Sequence, residues 1–161
     1  MPSAAAHLTD KSRRRVAVVL LVAVGVIALY WLAWFTHRSL VASESSVPYS
    51  QFEDAFPLAD GWLALSMTAA ATCLLTARRA AVFWLICGGG AGIYLFAMDV
   101  LYDLEHGVWG KGANGIVELV INLVTVTLSV FVLWWTWAHF DDLLARGATS
   151  SSTEALGPKT N

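Results

Sequence analysis

The sequence predicts an all-α, polytopic membrane protein: an antiparallel bundle of four transmembrane helices with both termini on the cytoplasmic side. Three observations predict it. The 161 residues are 57% apolar and only 14% charged, and the mean hydropathy is +0.61, beyond the usual balance of soluble domains. Four apolar runs, at about 16–35, 58–76, 80–101 and 116–137, each approach the ~20 residues needed to cross a hydrocarbon layer ~30 Å thick. Lys and Arg divide unequally between the two ends of these runs, with Lys11, Arg13, Arg14, Arg15, Arg78, Arg79, Arg146 and Lys159 on one side and Arg38 and Lys111 on the other. Because basic residues resist translocation, the first group marks the cytoplasmic side.

The elements follow in order. Residues 1–15 form a basic cytoplasmic tail ahead of a four-helix domain spanning 16–137. The first run is longer than the apolar stretch of a signal peptide and closes on Tyr30, Trp31, Trp34 and Phe35 rather than on small residues, so it reads as an uncleaved helix. In the external connection that follows, Ser50-Gln51-Phe52-Glu53 matches a capping box and Phe52 lies one turn from Phe56, which predicts a short interfacial helix over about 50–56. Pro57 fixes a φ that suits the first turn of the second spanning helix. Ala77-Arg78-Arg79 is a tight hairpin that makes the second and third helices antiparallel neighbours.

The third helix contains Gly88-Gly89-Gly90-Ala91-Gly92. No strand precedes these glycines and they lie in an apolar run, so they form a packing surface rather than a phosphate loop. Gly88 and Gly92 form a small-xxx-small pair open to close approach by Ala69, Ala70 and Ala71, or by a second copy or another membrane protein. Gly107, Gly110, Gly112 and Gly115 allow sharp backbone in the last external link. Residues 138–161 read as a cytoplasmic, largely disordered tail, rich in Ser, Thr, Gly and Pro towards its end. Trp31, Trp34, Trp62 and Trp109 mark the outer interface, and Trp84, Trp134, Trp135 and Trp137 the inner one.

The acids supply the candidate site. Asp60, Asp99 and Glu118 bring one carboxylate from each of three helices to a similar depth. Asp99, Asp103 and His106 are spaced i, i+4, i+7, as are Glu118, Asn122 and Thr125, so each set shares a helix face. The candidate polar cluster is therefore Asp60, Asp99, Asp103, His106, Glu118 and Asn122. Glu53, Asp54 and Glu105 read as ordinary external charges. The plainer alternative makes Asp103 a solvated loop residue and Asp60 a favourable negative charge at a helix N-terminus.

An ionised acid at the membrane centre costs about 2.5–3.5 kcal/mol, less towards the interface. Converging carboxylates must share protons, bind a cation or find hydrogen-bond donors. The set is poor in His and Cys, so a metal there would be Mn, Ca or non-haem iron rather than catalytic zinc. The sequence leaves metal binding open and identifies no cofactor. Cys73 and Cys87 form no C-x-x-C pair and read as buried thiols. No nucleophile elbow, zinc-protease, Walker or dinucleotide motif is present in a suitable context, and the basic residues make a topology signal rather than a nucleic-acid surface.

Four helices with intramembrane acids and interfacial tryptophans resemble in architecture the sterol-isomerase-like EXPERA membrane proteins; no motif residue of that family carries over to this chain. The expected protein is a small multi-pass component of the cell membrane, of the bacterial plasma-membrane kind. Its outward-facing acidic pocket would take a cation, a proton or a small amphipathic ligand. Its partners are the lipid bilayer and, through Gly88 and Gly92, a second copy or another membrane protein; nucleic acid is not among them. The alternative is a membrane-embedded isomerase- or hydrolase-like enzyme on a lipid-like substrate. Asp99 or Glu118 would be its general acid/base and His106 its proton partner, and it requires an enclosed apolar cavity beside them.

Overall fold

A computed structural model describes residues 8–40, 42 and 47–145. Its elements are α1 (Asp10–His37), α2 (Val47–Glu53), α3 (Pro57–Leu75), α4 (Ala80–His106) and α5 (Ala113–Ala138), with short 3-10 turns at Arg38–Leu40 and Val108–Gly110. Four stretches, Asp10–His37, Tyr49–Leu75, Ala80–His106 and Ala113–Ala138, are long and apolar enough to cross a membrane. The protein is thus a four-helix membrane bundle. The second stretch includes most of α2, joined to α3 through a turn at 54–56.

The helices outrun the apolar segments because their ends are capped. Thr9 Oγ1 accepts a bond from the Ser12 N–H at 3.2 Å and starts α1 ahead of the apolar run. Gly107, at φ 60°, ends α4 in the left-handed region and returns its N–H to the Asp103 carbonyl. Pro57 opens α3 as its first residue. The hairpin after α3 is a Schellman turn, with the Ala77 N–H on Leu74 O at 3.4 Å and the Arg78 N–H on Cys73 O at 2.9 Å. Ala77 adopts φ 56° there, where glycine is usual.

The principal pairings are α1 with α3, α3 with α4, and α4 with α5. Successive helices run in opposite directions, which gathers Lys11, Arg13, Arg14, Arg15, Arg78 and Arg79 at one end and Glu53, Asp54, Asp60, Asp99, Asp103, Glu105 and Glu118 at the other. At the basic end, Arg13 donates from Nε and Nη2 to the Leu74 carbonyl at 3.1 and 2.7 Å and satisfies the last turn of α3. The Leu8 N–H donates to Asp142 at 2.7 Å. Residues 140–145 continue as helix and bury Leu143, so the chain just beyond α5 is ordered. The rest of the expected disordered tail, 146–161, and residues 1–7 lie outside the described residues.

The glycine surface of α4 is occupied within the chain itself. A Cβ on Gly88 would lie 3.6 Å from Ser66 and Met67 of α3, one on Gly89 would come 2.6 Å from Leu133 Cγ, and one on Gly92 would run into Ser129. Gly88 and Gly92 are both buried, so a partner chain reaching them would have to displace α3 or α5. Ala70 and Ala71 are buried as well. One belt assignment needs correction: the rings of Trp62 and Trp84, expected at opposite interfaces, lie 6.2 Å apart.

Candidate functional site at the acidic end

The end of α1, the start of α3, the end of α4 and the start of α5 meet at the acidic end, and α2 packs among them. Two aromatic positions fix α2. Tyr49 is buried, with its ring 6.3 Å from Trp34 of α1 and 6.1 Å from Tyr102 of α4. Phe52 stacks on Tyr102 at 4.0 Å. This docking carries Glu53 inward instead of leaving it in water.

Most of the acids there meet an N–H or O–H donor. Trp31 Nε1 donates to Asp60 at 2.9 Å, and the Tyr30 hydroxyl donates to Glu53 at 3.1 Å. The Tyr49 hydroxyl donates to Glu118 at 3.0 Å. Asp103 is buried and receives both Trp109 Nε1 and Asn122 Nδ2 on the same oxygen, each at 2.8 Å. Asn122 is only 1% exposed, and its Oδ1 has no hydrogen-bond partner. Asp54 stays at the rim, bonded to Arg38 at 2.7 Å and to Trp34 Nε1 at 3.1 Å. Arg38 in turn lies 4.4 Å over the Trp34 ring.

Asp99 differs from its neighbours. It lies within electrostatic reach of Glu53, Glu118, Asp103 and Asp60, yet among the described residues no donor or cation holds its carboxylate. Of the residues read from the sequence, Asp60, Asp99, Asp103, Glu118 and Asn122 gather at this end, while His106 does not join them. His106 is exposed, stacks on Tyr102 at 4.1 Å and places Nδ1 2.9 Å from the Tyr102 carbonyl. It ends α4, and its side chain leans back along its own helix, as helical side chains do. Among the described residues no group of three or more His, Cys, Asp or Glu is arranged to hold a metal ion.

Sequence reasoning missed Glu53, Tyr49 and Tyr30. The signal was present in part, since Tyr49, Phe52, Glu53 and Phe56 share the i, i+3, i+4, i+7 spacing of one helix face. Reading Glu53 as a capping-box residue in an external loop hid it. Two concavities lie at the basic end, one against Leu8, Leu74 and Leu143 and one along the start of α1; neither is lined by any of the clustered acids. No known protein family, curated protein or solved structure shows significant similarity to the chain, so its site is read from its own geometry.

Proposed function

We propose that the acidic end is a proton-binding site in which Asp99 is the exchanging carboxylate and α2 is its cover. The observation that carries this reading is the contrast between Asp99, without a donor, and neighbouring acids that have one. Carboxylates this close in a low-dielectric setting repel one another when ionised, and an unpartnered member relieves that repulsion by taking a proton. A directly ligated metal fits less well, for want of a converging ligand set. The basic residues gathered at the other end support a cytoplasmic placement for that end, with the acidic site facing outward.

The reading is tested by the thermal stability of purified protein in detergent across about pH 5 to 8. The wild-type melting temperature should vary with pH. Asp99→Asn should flatten that profile, whereas Asp54→Asn at the exposed rim should keep it. A flat wild-type profile, or a wild-type profile in Asp99→Asn, counts against the proposal.

A further inference from the structure

The basic end carries a polar feature that the acidic site does not use. Lys11, Arg14 and Arg15 are exposed at the start of α1, and among the described residues none of them is held by an ion pair or hydrogen bond. Their neighbour Arg13 is instead engaged by Asp10 at 3.3 Å and by the Leu74 carbonyl. The spacing i, i+3, i+4 sets the three cations on one face of α1, opposite the buried Val16, Ala17 and Leu20. The same face continues as exposed apolar surface through Val18 (57%) and Val22 (61%). A shallow concavity runs along it, lined by Asp10, Lys11, Arg14, Arg15, Val18 and Val19.

We propose that this concavity binds one anionic phospholipid, with its phosphate among Lys11, Arg14 and Arg15 and an acyl chain along Val18 and Val22. Charge complementarity sets the headgroup, because three cations on one helix face attract a headgroup that carries net negative charge. A zwitterionic headgroup brings its own ammonium into the same cationic field and is disfavoured. The apolar strip directly beyond the cations continues into the hydrocarbon layer, so a single lipid can fill the cationic site and lie along the strip, which a soluble anion cannot do. Asp10 at the rim does not oppose the phosphate strongly, since its charge is paired with Arg13.

Native mass spectrometry of the full chain in detergent, titrated with phosphatidylglycerol or phosphatidylcholine, tests the site. Each cation near an anionic headgroup contributes about 5-fold in affinity, so Arg14→Gln/Arg15→Gln should weaken phosphatidylglycerol binding roughly 25-fold. Arg78→Gln/Arg79→Gln removes the same charge elsewhere at this end and should change binding less than about twofold. Arg14→Lys/Arg15→Lys should retain most of the affinity, which separates charge from folding. Equal losses in the two Gln double variants would overturn the proposal, as would phosphatidylcholine binding as tightly as phosphatidylglycerol. Full displacement of the lipid by inorganic phosphate would also overturn it, by showing an anion site with no lipid component.

Discussion

At the scale of single residues, the acidic end is an arrangement in which aromatic N–H and O–H groups reach acids that would otherwise lie bare in a low-dielectric setting. Tyr49 is among the most buried of these aromatic donors, and its hydroxyl holds Glu118. A hydrogen bond to a charged group contributes about 1.5–3 kcal/mol net. Tyr49→Phe keeps the ring packing on Trp34 and Tyr102 while removing that donor. It should therefore lower stability by about 2 kcal/mol, read as a lower melting temperature in detergent. Tyr30→Phe should do the same to Glu53, and the double variant should lose close to the sum, because each hydroxyl holds its own acid. A double loss well above the sum would show instead that the two hydroxyls serve one acid.

At the scale of elements, α4 depends on having almost no side chain where it meets α3 and α5. Gly92 faces Ser129 of α5 so closely that any Cβ must push the serine aside. Overpacking of this kind costs about 1–3 kcal/mol. Gly92→Ala should fall in that range, and Ser129→Ala in the same chain should recover part of the loss by removing the hydroxyl. The check is a double-mutant cycle in melting temperature, and the absence of any recovery would place the strain elsewhere. Sequence reasoning reached this helix surface correctly but left its partner open, because a small-xxx-small pair shows only that something comes close. The contacts with Met67, Leu133 and Ser129 show that the approaching helices are α3 and α5. The Trp62 and Trp84 rings were misplaced for a different reason: belt logic assigns depth by Cα position, and these two rings meet between their Cα positions, 6.2 Å apart.

At the scale of the whole molecule, the four spans and the opposed basic and acidic ends were legible because each rests on a summed signal, some twenty apolar positions or a tally of basic residues. The site was legible where one helix period or a common depth determines the outcome, as for Asp99 with Asp103, Glu118 with Asn122, and Asp60 on the neighbouring helix. It was not legible where tertiary docking decides. Glu53 enters the cluster because Tyr49 and Phe52 seat α2 against Tyr102, and His106 leaves it because its ring stacks on its own helix. Trp31 and Trp109 stood at an interface for which belt anchoring was already a sufficient account, so their role as donors to Asp60 and Asp103 carried no separate mark in the sequence.

The whole-molecule claim is that this acidic end keeps a proton on Asp99 in an otherwise apolar bundle. Infrared difference spectroscopy of the protein in lipid, read at the C=O stretch of a protonated carboxylic acid, measures that proton directly. The account predicts such a band in the wild type near neutral pH, its shift on exchange into deuterated water, and its loss in Asp99→Asn but not in Asp54→Asn. A wild type without the band, or a band untouched by Asp99→Asn, would contradict it.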